Sequence, residues 1–184
     1  MTDPVLVTPP AALLSLPEVK AQLKVDHSHE DSWLELMIAA AVGKLDGWHG
    51  ILHRCILTQT WAIKTDALAD MRLPFPDVVS AVVTYLDPAG VSQTVSSTNF
   101  RVRTFKGQGS LIFSTGYAAP AVLAGRDDAV TVTGVYGFET PPPALKVAAL
   151  MLVAYWERNR EGAGEYIPPS IYSLISPWRA GLAA

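Results

Sequence analysis

The chain has 184 residues, a length that suggests one domain or at most two small ones. Fourteen Lys and Arg stand against seventeen Asp and Glu, a formal charge of −3. That excludes the basic excess expected of a dedicated nucleic-acid binder. Charged residues make up 17% where about a quarter is usual, while the 49% hydrophobic content excludes wholesale disorder.

The opening, Met1 to Ala12, carries Pro4, Pro9 and Pro10 and reads as an extended arm; it has neither the basic leader nor the apolar run of a secretory signal. Ser15-Leu16-Pro17-Glu18 has the form of a capping box with proline in the first turn, and predicts a short helix from Pro17 to about Leu23. Ser28 followed by Asp31 predicts a second helix start, with Glu30 and Asp31 well placed for the helix dipole. This helix is expected to run from His29 to about Asp46 and stop at Gly47 or Gly50.

The pattern then turns to β. Cys55–Asp66 is rich in β-branched and aromatic residues, Arg72–Pro76 is extended around two prolines, and Val78–Leu86 is a second strand. Asp87-Pro88-Ala89-Gly90 is a turn that returns Val91–Ser96 as a hairpin partner. Phe100–Thr104 and Ser110–Ser114 form two further strands, and Ala129–Phe138 another. Three prolines, Pro141 to Pro143, stop the sheet and start the last long helix, Ala144 to about Arg160, which Gly162 and Gly164 end. In the tail, Ile171–Ile175 has room for one or two helical turns before Pro177.

The expected class is α+β: a small α-helical bundle with an inserted antiparallel β-rich region and an extended C-terminal tail. Within one domain spanning 1–184, the helical part covers 13–53, the β-rich part 55–139, the long apolar helix 142–161 and the tail 162–184.

The most informative feature is an apolar surplus. Val147 through Trp156 are all apolar, and at about 3.6 residues per turn such a run covers the whole circumference of a helix. Leu36 to Val42 does much the same, preceded by Trp33 and Leu34. A helix apolar all round is buried. Either the helices hide one another and one face of the sheet, or part of their surface is covered by further copies, as in obligate interfaces and closed homo-oligomers.

Catalytic signals are thin. His27, His29, Glu30 and Asp31, with His49 and His53 downstream, are the only metal-like grouping and would suit zinc or a related ion in a hydrolase. Ser28, Glu30 and Asp31 are equally accounted for as a helix start, and no HExxH spacing occurs. Gly107-Gln108-Gly109-Ser110 lies between two strands, so it reads as a hairpin turn rather than a phosphate loop. Cys55 reads as a small buried hydrophobe, and no disulfide is possible within one chain. Arg101, Arg103 and Lys106 form a small basic cluster that reads as a solvated strand face or loop, with weak contact to nucleic acid as the lesser alternative, disfavoured by the net negative charge. No catalytic constellation, cofactor or metal is expected.

Three stretches together carry a resemblance. Leu23-Lys24-Val25-Asp26 running to Glu30-Asp31, then an apolar helix and Gln59-Thr60-Trp61, is the first. Val135-Tyr136-Gly137-Phe138 followed by proline, the apolar helix and Tyr155-Trp156-Glu157-Arg158 is the second. The third is Ser173-Leu174-Ile175-Ser176-Pro177-Trp178-Arg179. In this order and spacing they resemble the head–tail connector (adaptor) proteins of long-tailed phages and related gene-transfer particles, over almost the entire chain.

The resemblance implies a non-enzymatic ring of twelve subunits in the neck of a virion or phage-like particle, assembled in the bacterial cytoplasm. Its partners would be the portal protein, a stopper or head-completion protein, copies of itself, and double-stranded DNA sliding through the channel without specific binding. The expected contact residues are Trp156, Arg158 and Arg160 at the helix end, with Tyr172, Leu174, Ile175, Trp178 and Arg179 in the tail. A tail interrupted by Pro168, Pro169 and Pro177 forms no single helix. It either docks in a partner's groove, where Trp and Arg are favoured anchors, or folds back on its own domain. Rival readings are a metal-dependent hydrolase using His27, His29, Glu30 and Asp31, and another tail-completion or structural module.

Overall fold

A computed structural model describes residues 2–105, 107–160 and 166–180, and the fold is α+β with four helices and eight strands among them. The chain divides into two compact units. One is β-rich and holds residues 2–10 and 58–137; the other is helical and holds 11–57 and 138–179. Lys106, and the Gly162 and Gly164 expected to stop the last long helix, lie outside the described residues.

In the helical unit α1 spans Leu16–Leu23, α2 Asp31–Leu45, α3 Pro143–Arg158 and α4 Pro169–Ile175. Helix α1 starts as its sequence dictates. The Glu18 N–H donates to Ser15 Oγ and the Ser15 N–H to Glu18 Oε2 (2.9 Å), closing the capping box, and Lys24 ends the helix in the left-handed region. The second start differs from expectation. Ser28 makes no side-chain cap; its carbonyl accepts the Asp31 N–H in a turn, and Glu30 occupies the cap position with no side-chain bond. Among the described residues no helix is long and apolar enough to cross a membrane.

The core of this unit is one cluster that includes Leu14, Val19, Leu34, Met37, Ala41 and Leu45 from the first two helices. From α3 it takes Leu145, Ala148, Ala149, Leu152, Val153 and Trp156, and from α4 Ile171 and Ile175. Alanines on α3 and Ala41 on α2 let the helix backbones approach closely. Cys55 is fully buried in the same unit, and Ile56 belongs to the cluster, its N–H held by Asp46 Oδ1 at 2.6 Å. The residues expected to begin the first long strand therefore pack with the helices, and the strand starts at Gln59.

In the β unit the strands are β1 Val5–Thr8, β2 Gln59–Thr65, β3 Met71–Arg72, β4 Val78–Leu86, β5 Ser92–Thr94, β6 Phe100–Phe105, β7 Gln108–Phe113 and β8 Val130–Tyr136. They make two antiparallel sheets, a five-stranded one ordered β1-β2-β8-β4-β5 and a three-stranded one ordered β3-β7-β6. The opening arm is thus partly a strand, pairing Val5 with Ala62 and Leu6 with Trp61. Along β8 burial alternates strictly, as expected of a strand with one covered face. Phe75 sits between Trp61 and Tyr136, edge-on to each at 5.1 and 5.4 Å between ring centroids. Gly134 is required beneath this group, since a Cβ there would run into the Tyr136 ring. Gly90, at φ +81°, closes the β4–β5 turn, where Asp87 Oδ1 accepts the Ala89 and Val91 N–H groups.

Two expected outcomes test these contacts. The buried Trp61 indole N–H donates to Gln59 Oε1 at 3.0 Å, both side chains lying on the covered face of β2. Gln59→Leu removes that acceptor and is expected to cost about 1–3 kcal/mol in urea unfolding. In the helical unit, Lys146 donates to Glu18 at 2.6 Å, and this bond with those from Ser15 lowers the Glu18 pKa from 4.5 to about 2. A depressed folded-state pKa stabilises above the unfolded value and ceases to do so as pH falls through the folded one. Thermal melts are therefore expected to show a Glu18-dependent loss between pH 4.5 and about 2, flattened in Glu18→Gln and reduced by salt.

Candidate interaction surface

The end of α3 and the segment after it come together as the sequence suggested, though with a division of labour. Trp156 is buried against the helical core, and its Nε1–H donates to the Tyr166 carbonyl at 3.3 Å. Ile175 and Ile171 are buried beside it, while Leu174 and Trp178 pack half-buried against the same cluster. Of the two readings of the tail, residues 166–180 take the one in which it folds back: α4 and a single 3-10 turn over Ser176–Trp178 lie on their own unit. Trp178 meets Phe138 edge-on at 6.1 Å, and the Arg54 guanidinium lies over the Phe138 ring at 5.6 Å from its centroid. Trp156 and Ile175 are thus committed to the interior.

The outward members of the set are Tyr172, Arg179, Arg158 and Arg160. Arg179 donates to the Ile51 carbonyl at 3.0 Å and to the Tyr172 hydroxyl, and its guanidinium stacks over the Tyr172 ring. This fixes a flexible side chain before any partner arrives, which reduces the ordering cost of binding. Beside it an open groove is lined by Tyr166, Ile167, Pro169, Tyr172, Ser173 and Ser176. Arg160 binds Glu30 at 2.8 Å and Glu157 at 2.9 Å and lies over the Trp33 ring. Its guanidinium draws the Glu30 carboxyl below its ordinary range. Arg158 is exposed.

A second surface was legible only as surplus. Helix α2 buries Leu34, Met37, Ala41 and Leu45 and turns Trp33, Leu36, Ala39, Ala40 and Gly43 outward beside Ser32 and Glu35, with Leu36 66% exposed. Helix α3 likewise leaves Val147 45% and Met151 36% exposed, one turn apart. These are the positions where a monomeric surface helix carries charge.

The metal-like grouping is drawn apart. Glu30 is engaged by Arg160, and Asp31 by Lys20 at 2.6 Å; the His27 and His29 rings lie 5.7 Å apart. Among the described residues no three of His, Cys, Asp and Glu come together as a metal would need. The Gly107–Ser110 stretch is a hairpin turn into β7, with Gly107 at φ +71°.

Stability should separate the inward residues from the outward ones. Ile175→Ala is expected to cost about 2–5 kcal/mol in denaturant unfolding, whereas Tyr172→Ala changes it by about 0.5 kcal/mol or less.

No protein-family model matches the chain, and no curated protein matches it. Among solved structures, the chain is similar to one in the neck of an empty gene transfer agent (GTA) particle computed with C6 symmetry. The TM-score is 0.77 at 20% identity, with all of both chains covered. It is similar to a chain of the virion of a native GTA particle, with TM-score 0.76 and 21% identity over 97% of this chain and 96% of that one. A third match is in the neck of a native GTA particle computed with C12 symmetry, with TM-score 0.68 and 20% identity over 98% of this chain and 100% of that one. At these identities the likeness establishes a shared fold from end to end.

Proposed function

We propose that this protein is a structural component of the neck of a phage-like particle, an adaptor that assembles as a ring of twelve copies between the portal and the tail or stopper, with DNA passing through its channel. The observation that carries this reading is the end-to-end fold match to a chain of a gene transfer agent neck. Its sequence motifs, which resemble those of head–tail connectors, support the same reading.

The surface chemistry agrees. Exposed apolar faces on α2 and α3 have no use in a solitary chain and suit packing against neighbouring copies, whose interfaces resemble a core cut in two. The rigid Arg179–Tyr172 stack and the adjoining groove offer a portal or a stopper a preformed anchor of the residue types that dominate binding energy. The reading assigns no chemical step to the chain. The carboxylates that a hydrolytic metal site would require are engaged by Arg160 and Lys20 instead.

The test is assembly with a portal. Purified protein is expected to co-sediment with a portal from the same genome and to add a ring visible by electron microscopy. Leu36→Glu, at a position 66% exposed, is expected to leave the melting temperature within a few degrees while reducing ring formation at least tenfold. Failure of the unaltered protein to join the portal, with no added ring, would sink the proposal.

A further inference from the structure

The register of the three-stranded sheet brings together cations that are far apart in sequence. Arg103 pairs across to Ser110, and Ser110 pairs on its other side to Arg72, so Arg72, Ser110 and Arg103 form a row across all three strands on one face. Arg101 and Phe105 share that face, each two residues from Arg103 along β6. Arg72, Arg101, Arg103 and Phe105 are all exposed. At a strand spacing of about 4.8 Å and a rise of about 3.4 Å per residue, the Arg101 and Arg72 backbones lie roughly 7 and 10 Å from that of Arg103. The Arg103 guanidinium is held over the Phe105 ring at 5.0 Å.

The electrostatics of the unit single this face out. Its described cations are Lys64, Arg72, Arg101, Arg103 and Arg126. Lys64 and Arg126 share Asp128, at 3.8 and 2.7 Å. The other three, none in an ion pair among the described residues, all fall on this sheet face. Asp70, the residue before β3, has its carboxylate occupied by the Phe113 N–H at 2.8 Å. Among the described residues of this unit, the cations outside ion pairs thus all lie on one sheet face.

We infer that the outward face of the β3–β7–β6 sheet is a binding site for the phosphate backbone of duplex DNA, held by Arg72, Arg101 and Arg103. Guanidinium groups bind phosphate through paired N–H donors, and the row across three strands suits a linear, repeating anion. An acidic protein partner would call for a desolvated apolar centre, and this face offers one exposed aromatic, already occupied by Arg103, with the half-buried Ile112. Contacts of this kind position DNA without reading its sequence, and three of them permit sliding. The inference does not rest on ring assembly, since the face is complete in one copy.

The experiment is fluorescence anisotropy of the full chain with a labelled 30-base-pair mixed-sequence duplex. Three phosphate contacts predict a slope of log affinity against log salt of about −2.7, a weakening of about fortyfold between 50 and 200 mM. Arg101→Gln/Arg103→Gln is expected to lose at least tenfold in affinity at low salt and to flatten the slope by about 2. Lys24→Gln/Lys44→Gln, which removes the same charge from the helical unit, is expected to bind as the unaltered protein does. Unchanged melting temperatures keep both variants interpretable. Three results would overturn the inference: no duplex binding at 50 mM salt, equal losses in the two double variants, or tighter binding of a poly-glutamate peptide than of the duplex at equal charge.

Discussion

The helical unit depends on how α3 is wrapped. Ten consecutive apolar residues give this helix no polar side to show to water, so it is stable only where other elements cover it. Helices α1, α2 and α4 each pack on it, and the six buried α3 side chains include alanines that bring their backbones close. Helix α4 is short and opens at two prolines, so its own hydrogen bonds cannot hold it. It exists because Ile171 and Ile175 bury against the core that Trp156 completes. Even so the wrapping is incomplete, and Val147 and Met151 remain at the surface beside a second helix with the same excess.

Charge in this unit is spent between elements. Lys146 joins α3 to Glu18 of α1, Lys20 joins α1 to Asp31 of α2, and Arg160 joins the end of α3 to Glu30 before α2. Pairs of this exposure stabilise little individually, about 0–1 kcal/mol each. Their effect is on where charge is absent. With most acids and bases drawn to the helix ends and seams, Glu35 is the one described acid on the outward face of α2 between Trp33 and Gly43, and the Val147–Met151 stripe of α3 carries no charge.

What could be read from the sequence followed the range of the interaction. The Ser15–Glu18 capping box was legible because its donors and acceptors sit within three residues. The strand cores over Val78–Leu86 and Ala129–Phe138 were legible from their valine-rich, β-branched sequence. Strand β1 was not, because all four of its side chains are exposed and only pairing with β2, some fifty residues on, makes it a strand. Cys55 and Ile56 looked like strand residues and are so by type, but tertiary packing placed them among the helices. Trp156 and Ile175 show a further limit: a short apolar segment that docks on its own unit uses the same residue types as one that docks on a partner. Arg72 could join Arg101 and Arg103 only once the register of β3 against β7 was known.

The two exposed helix faces also bear on how copies could close. A two-fold dimer needs one self-complementary patch, whereas a ring needs two different patches that meet head to tail. The helical unit supplies two of different make. The α2 face, with Trp33, Leu36, Ala39, Ala40 and Gly43, offers small residues beside two large ones, a surface of steps and hollows. The α3 stripe offers Val147 and Met151 as projecting side chains, and methionine adapts readily to an irregular opposing surface. In the proposed ring, knobs of one kind would face hollows of another, a heterologous contact that closes when the rotation it imposes divides the circle.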